Sequence, residues 1–243
     1  MNPEQATRLR AEMVERQLRG GDIRDERVLA AMAQVPRELF VPAASVARAY
    51  ADGALPIASG QSISQPHMVA HMTELLDVRP GMRVLEVGTG SGYGAAVLAA
   101  LGAKVISVER HPELAEAARS RLAGLGLGLG LAEAVRVVVG DGSLGWPADT
   151  PFDGIIVTAA APRVPAALRA QLADGGRLVV PVGMRSRQEL ILVVRRGDRF
   201  EERDCGPCVF VPLIGQDGFA EPAAEDESAS KSGRRRWFSR PHL

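Results

Sequence analysis

The sequence has few aromatic residues, only two cysteines and no net charge. Phe, Trp and Tyr make up 4% of the 243 residues, and 29 basic side chains balance 29 acidic ones. Nucleic-acid surfaces use a basic field and stacking aromatics, so this composition argues against a nucleic-acid partner. No apolar run approaches the length that spans a bilayer, and the polar N-terminus lacks a secretory apolar region. We expect a monomeric cytoplasmic protein with no membrane partner.

The two cysteines stand in the run Cys205-Gly206-Pro207-Cys208. The spacing is that of redox dithiols, but those sites need a helix to begin just after the motif, which lowers the thiol pKa. Here the apolar residues 209–213 predict a strand instead. A zinc site would need two more ligands at suitable spacing, and none is nearby. We expect two inert thiols and no metal site.

Apolar strands alternate with amphipathic helices along most of the chain. This pattern predicts an α/β fold with a doubly wound, mostly parallel seven-stranded sheet, preceded by N-terminal helices. The expected strands are 83–88, 104–109, 135–140, 153–158, 177–182, 189–196 and 207–213. The expected helices are 4–19, 25–34, one from Pro66, 93–101, 112–123 and 163–173.

The expected organisation is one domain followed by a tail. Residues 1–215 form the domain, with N-terminal helices and a substrate and cofactor loop in 1–80 and the α/β core in 81–215. Residues 36–64 show little periodicity, which favours a functional loop. The alternate apolar spacing of the Gly-Leu repeat at residues 124–131 could indicate a strand, but four glycines would weaken one, so the repeat is interpreted as a connection between a helix and the third strand. Residues 216–243 change to a charged composition that predicts a disordered tail.

A glycine loop follows the first strand of the core. The strand ends in Gly88-Thr89-Gly90-Ser91-Gly92, and roughly twenty residues further on a second strand ends at Glu109. This layout predicts a nucleotide-binding turn with an acid placed for ribose hydroxyls. A dinucleotide fingerprint would need a further glycine at position 93, which is Tyr93. The spacing therefore favours a nucleoside with an amino-acid tail, such as S-adenosylmethionine.

Three further segments match a particular protein family. They are Ser62-Ile63-Ser64-Gln65-Pro66 with its neighbours, Gly140-Asp141-Gly142, and Ile155-Ile156-Val157-Thr158-Ala159-Ala160. Together with the glycine loop and residues 210–213, they closely resemble the protein-L-isoaspartate O-methyltransferases, in order from about residue 10 to residue 215. The resemblance implies a class I, Rossmann-like methyltransferase. It would use S-adenosyl-L-methionine to methylate the free α-carboxylate of L-isoaspartyl residues in damaged proteins and peptides, which initiates their repair.

The resemblance also implies site residues. Ser64 would orient the acceptor carboxylate, which is ionised at neutral pH and so needs no strong general base. The cofactor would contact Ile63, Ser64, His67, Gly88, Thr89, Gly90, Ser91, Gly92, Glu109, Arg110, Asp141 and Gly142.

Each assignment has a plainer alternative. Ser64 could simply cap the helix that begins near Pro66. Glu109 could be an exposed acid at a strand end, and Asp141 could belong to a structural turn. His67 and His71 have the spacing of a metal pair, but a third ligand is missing.

Two other functions remain open from the sequence. One is a class I methyltransferase acting on a different carboxylate or an amine, and the other is a non-catalytic adaptor that binds the cofactor. The chain also departs from the family at Gly94, where a larger polar residue is more common. No departure removes a residue that has an assigned role.

Overall fold

A seven-stranded sheet forms the centre of the computed structural model, which describes residues 1–129 and 131–221. In chain order the strands are β1 (Leu55–Pro56), β2 (Ser62–Ile63), β3 (Arg83–Val87), β4 (Lys104–Glu109), β5 (Val135–Val139), β6 (Phe152–Val157), β7 (Leu172–Met184), β8 (Arg187–Arg196) and β9 (Arg199–Cys208). β1 and β2 pair separately, and the sheet order is β5-β4-β3-β6-β7-β8-β9. Within this sheet β8 runs antiparallel to β7 and β9, and the other strand pairs are parallel. The predicted mostly parallel seven-stranded sheet is confirmed.

Helices cover both faces of this sheet. They are α1 (Pro3–Glu12), continued by a π-helical turn (Met13–Arg19), α2 (Glu26–Gln34), α3 (Pro66–Leu76), α4 (Tyr93–Ala100), α5 (Pro112–Leu129), α6 (Leu131–Ala134) and α7 (Ala166–Ala170). Side chains alternate across β6, so Ile156 joins the larger apolar core while Ile155 and Val157 join the smaller core on the other face. No helix of the described residues is long and apolar enough to cross a membrane.

The last strand differs from the prediction. β9 covers Arg199–Cys208 rather than residues 207–213, and it pairs only with β8 at the edge of the sheet. Its charged sequence shows no apolar alternation because most of its side chains are exposed. The apolar residues 209–213 instead run beside the end of β6, with one bridge between Ala160 and Pro212.

Both cysteines are free and lie within β9, so no helix begins after them. Burial, with Glu189 and Asp204 adding to it, raises the pKa of Cys208 to about 11. This thiol is therefore protonated at neutral pH, as expected of an inert cysteine.

Two helices also differ from their predicted bounds. α5 ends at Leu129 and so includes residues 124–129 of the Gly-Leu repeat, whereas a connection was expected there. α7 is shorter than predicted, since Leu172 already begins β7. The predicted helix 4–19 is present, but its second half is π-helical.

The segment 36–64 is more ordered than its composition suggests. It contains two 3-10 turns, Arg37–Phe40 and Ala43–Arg48, and the β1–β2 pair. Phe40 and Tyr50 anchor it in the larger core. As a result, its last residues lie over the carboxyl ends of the central strands.

The chain also packs beyond the predicted domain boundary at residue 215. The backbone N–H of Gln216 donates to Asp141, and Arg110 pairs with Glu221. Residues 222–243, which make up most of the predicted tail, lie outside the described residues.

Candidate active site

A cleft of ≈ 390 Å³ opens at the carboxyl ends of β3, β4 and β6. In the sheet, β4 and β5 lie on one side of β3 and the later strands lie on the other side, so the direction of strand addition reverses at β3. Ligands of open α/β sheets bind at such a switch point. Nine of the residues predicted from the sequence line it: Ile63, Ser64, Gly88, Thr89, Gly90, Ser91, Glu109, Arg110 and Gly142. The fold thus brings the β2 end, the glycine loop and the β4 end into one cavity.

The floor of the cleft is the turn that begins at Gly88. This residue has φ +96°, and a Cβ there would lie well within 3.0 Å of the Thr158 hydroxyl. Thr158 Oγ1 in turn donates to the Gly88 carbonyl at 2.7 Å. Glycine is therefore required both by the backbone angle and by space, and it leaves the backbone open to close approach by a ligand.

Glu109 joins the end of β4 to the glycine loop. Its two carboxylate oxygens accept from the backbone N–H groups of Gly90, at 2.9 Å, and His111, at 3.0 Å. The side chain is buried yet lines the cleft. Each carboxylate oxygen can accept more than one hydrogen bond, so a vicinal diol could still be bound. The ribose role assigned to Glu109 stays a prediction, now with a fixed geometry.

Ser64 is not the cap of α3. The N-cap residue is Gln65, and Pro66 begins the helix. The Ser64 carbonyl accepts from Arg37 Nη2 at 2.7 Å, while its hydroxyl makes no hydrogen bond within residues 1–129 and 131–221. The capping alternative is therefore wrong, and the hydroxyl is free to bind a ligand in the cleft.

Three predicted residues lie outside the cleft lining. His67 contacts Asp22, with 2.5 Å between Nε2 and Oδ1. Gly92 is the N-cap of α4 and packs against Ala118 of α5. These two residues help to hold the helices around the cleft and do not form the surface of the cleft.

Asp141, the third, is occupied by protein donors. Its carboxylate accepts from the Ser143 N–H and hydroxyl, at 2.9 and 2.7 Å, and from the Gln216 N–H at 2.7 Å. Desolvation raises the pKa of Asp141, but these hydrogen bonds outweigh it and the pKa is lowered. The adjacent Gly142 lines the cleft instead, where any Cβ would clash with Val87.

The rings of His67 and His71 stack with centroids 6.0 Å apart. Within the described parts of the chain, no group of three or more His, Cys, Asp or Glu side chains could hold a metal ion. The pair therefore has no third ligand in this part of the structure.

Glu86 also lines the cleft and is not among the residues predicted from the sequence. It is 1% exposed, and its carboxyl accepts from the Ser107 hydroxyl at 2.5 Å. Ser107 also contacts the Thr89 hydroxyl at 2.5 Å, so the chain of hydrogen bonds reaches the glycine loop. An acid inside an otherwise apolar strand was the signal that could have identified it. Thr158, Tyr93 and residues 211–214 are further lining residues without a predicted role.

The sheet order and the glycine-floored cleft define a class I methyltransferase fold. Residues 8–218 match the family described as protein-L-isoaspartate(D-aspartate) O-methyltransferase (PCMT). The chain belongs to this family.

Curated relatives align with this chain over most of its length. The protein-L-isoaspartate O-methyltransferase of Methylorubrum populi is 58% identical over 84% of this chain and 94% of its own length. That of Methanoculleus marisnigri is 53% identical over 90% of this chain and 97% of its own length. A solved protein-L-isoaspartate O-methyltransferase has 30% identity and a TM-score of 0.76 over 86% of this chain and 67% of its own.

A second solved structure, a family member from Plasmodium falciparum in complex with S-adenosyl-L-homocysteine, has 25% identity and a TM-score of 0.75. The match covers 85% of this chain and 99% of that one.

Proposed function

We propose that this chain transfers the methyl group of S-adenosyl-L-methionine to the free α-carboxylate of L-isoaspartyl residues in damaged proteins and peptides. Its family and the names of its relatives support this reaction class. The observation that carries the proposal is that two grooves meet at Ser64, whose hydroxyl has no partner within the described residues. One groove suits the cofactor and the other suits a peptide.

The cofactor fits the cleft that contains Glu109. At Gly88 the space that a Cβ would take is already filled by the Thr158 hydroxyl, and the floor of the cleft there is backbone that a ligand can approach closely. The Glu109 carboxylate is held in place for a ribose by two backbone donors. A relative's complex with S-adenosyl-L-homocysteine supports the same choice of ligand.

The peptide groove, also ≈ 390 Å³, lies on the other side of Ser64. It shares Ser62, Ser64, Thr158 and Val211 with the cofactor cleft. Val209 at its rim is 75% exposed, an unusual position for a large apolar side chain. An extended peptide lying there would bring a carboxylate to Ser64 from outside the cofactor cleft.

Methyl transfer requires little of the protein except that it position the two reactants. When bound, S-adenosyl-L-methionine supplies an electrophilic methyl group on a good leaving group. The acceptor is already ionised near neutral pH, so no side chain has to remove a proton. Ser64 donates from Oγ to one carboxylate oxygen and leaves the other free to attack. Residues 59 and 61–64 line the cleft. With both reactants bound, this segment would help to exclude water, which favours an aligned, desolvated reaction.

The test uses labelled S-adenosyl-L-methionine with an isoaspartyl peptide and its aspartyl twin. We expect label on the isoaspartyl peptide alone, released by mild base as an ester would be. Base-stable label would indicate an amine acceptor. Cofactor binding without any transfer would indicate an adaptor. Either result would contradict the proposal.

We also propose that the packed chain up to Glu221 is one catalytic unit that works as a monomer. The hydrogen bond from Gln216 to Asp141 and the ion pair of Arg110 with Glu221 hold the end of this segment against the cofactor cleft, which supports a single catalytic unit. Sedimentation of the active protein at assay concentration tests it, and activity confined to a dimer would contradict it.

A further inference from the structure

Arg37 is the one Lys or Arg side chain that is completely buried among residues 1–129 and 131–221, with an exposure of 0%. It begins the 3-10 turn that follows Pro36. No carboxylate lies within ion-pair distance of it in this part of the chain. A buried cation without a counter-charge destabilises the folded protein unless another interaction compensates for its charge.

The contacts of Arg37 lead to the acceptor site. Its Nε donates to the Ala49 carbonyl at 2.8 Å, and its Nη2 donates to the Ser64 carbonyl at 2.7 Å. The guanidinium lies 4.9 Å from the centre of the Tyr93 ring, which itself lines the cofactor cleft. Nη1 is buried with no hydrogen-bond partner in the described structure. The carbonyls and the ring offset part of the charge but supply no full negative charge.

An arginine keeps its proton even here. Burial lowers the pKa of Arg37, and the nearby Tyr93 opposes that shift. Because a guanidinium starts from a pKa above ~12, it stays charged at neutral pH. The Ser64 backbone is thus held by a permanent cation.

We propose that Arg37 is a positioning residue of the acceptor site, which fixes the Ser64 backbone and provides the positive charge that favours an anionic acceptor over a neutral one. The inference rests on the proposed function, in which a substrate carboxylate binds at Ser64. That carboxylate brings the negative charge that Arg37 otherwise lacks. Because Arg37 does not touch the carboxylate, it can favour binding without a hydrogen bond that would quench the nucleophile.

The charge effect should appear in binding more than in turnover. The carboxylate loses its negative charge as the ester forms, so attraction to Arg37 is weaker in the transition state than in the bound substrate. For two unit charges placed roughly 8 Å apart at an effective dielectric constant of about 20, Coulomb attraction corresponds to on the order of 10–30-fold in affinity. Removing the charge should therefore raise KM and should not by itself lower kcat.

The test compares two peptide ligands that differ only in this charge. One is an isoaspartyl peptide, and the other carries an α-carboxamide in place of the free α-carboxylate. Their dissociation constants are measured by calorimetry with the protein saturated in S-adenosyl-L-homocysteine, so that no turnover occurs. The variants are R37M, R37K and the control R195M. Arg195 also donates to two backbone carbonyls, those of Leu172 and Gly197, but far along β8.

We expect R37M to weaken binding of the isoaspartyl peptide on the order of tenfold and to change carboxamide binding by less than about twofold. R37K keeps the charge and should retain the preference for the carboxylate. R195M should behave as wild type. If R37M does not fold, R37K still tests the charge.

Equal weakening of both peptides by R37M would show a merely structural residue and overturn the proposal. Loss of the carboxylate preference in R37K would also overturn it, as would a wild-type protein that methylates isoaspartyl peptides but binds both ligands equally. A wild-type protein that methylates no isoaspartyl peptide would instead contradict the proposed function, before any variant is compared.

Discussion

Glu86 should control how the stability of the free protein depends on pH. The side chain is buried in β3 and has no basic partner within hydrogen-bond distance among the described residues. Burial raises the pKa of Glu86 to about 8, although the hydrogen bond from Ser107 lowers it, and the nearby Glu109 raises it further. The folded protein therefore prefers a protonated Glu86 at neutral pH.

The sign of the effect follows from the two states. The usual value of 4.5 applies to the unfolded chain, while the folded value is about 8. Stability from the bound proton is complete below the lower value and is lost as the pH rises through the higher one. Between pH ~5 and pH ~7 the loss is about 2.5 kcal/mol, since one pKa unit corresponds to ~1.36 kcal/mol. Glu86→Gln has the same size, stays neutral and should not show this loss.

The measurement is urea unfolding of wild type and Glu86→Gln, without cofactor, across this pH range. The free energy of unfolding of the variant, relative to wild type, should increase by about 2.5 kcal/mol from the acidic to the neutral end. Groups that titrate in both proteins cancel in this difference. A difference that stays flat with pH would refute the reasoning, because it would mean that Glu86 ionises as easily in the folded protein as in the unfolded chain.

Three further predictions concern the site and the thiols. Ser64→Ala should lower turnover on the order of 10–1000-fold with little change in melting temperature, because Ser64 is not the cap of α3, and Ser64→Thr should retain part of the activity; a destabilised but fully active Ser64→Ala protein would exclude the orienting role. Glu109→Ala should weaken binding of S-adenosyl-L-homocysteine, measured by calorimetry, by on the order of 1.5–3 kcal/mol, and unchanged affinity would remove Glu109 from the cofactor site. Replacing both Cys205 and Cys208 with serine should preserve most methyl transfer, and loss of turnover in a folded double variant would show that the thiols matter.

The centre of the fold could be predicted because its residues carry a strong pattern. The apolar run of β3, the glycines after it and Glu109 at the end of β4 specify a βαβ unit, and the structure places them as expected. The same local chemistry predicted where Gly88 lies, since few other residues tolerate its backbone angle. These features depend on near neighbours in the sequence.

The last strand could not be predicted from its own residues. Its charged side chains leave no apolar alternation, and what makes residues 199–208 a strand is the backbone ladder to β8. Residues 209–213 showed the opposite error, because their apolar character serves packing beside the end of β6. Edge pairing and loop packing are tertiary effects, so the local pattern was misleading in both segments.

Contacts between residues far apart in the sequence could not be predicted either. The hydrogen bond that Asp141 accepts from the backbone of Gln216 joins residues 75 positions apart and could not be predicted from either segment. Arg37 gave no sign that its guanidinium would lie under Ser64. Gly94 appeared only as a departure from the family, but a Cβ there would lie within 3.0 Å of the buried carboxyl of Glu86. Each depends on a contact that the chain makes only when folded.

In the proposed function, the methyl group goes to the α-carboxylate of isoaspartate and thereby begins repair. The most direct measurement follows one isoaspartyl peptide by mass spectrometry and chromatography during incubation with the protein and excess S-adenosyl-L-methionine. We expect a methyl ester on the α-carboxylate, then a succinimide, and then growing amounts of the normal aspartyl peptide. A peptide that remains isoaspartyl, or one that carries its methyl group on any other atom, would contradict it.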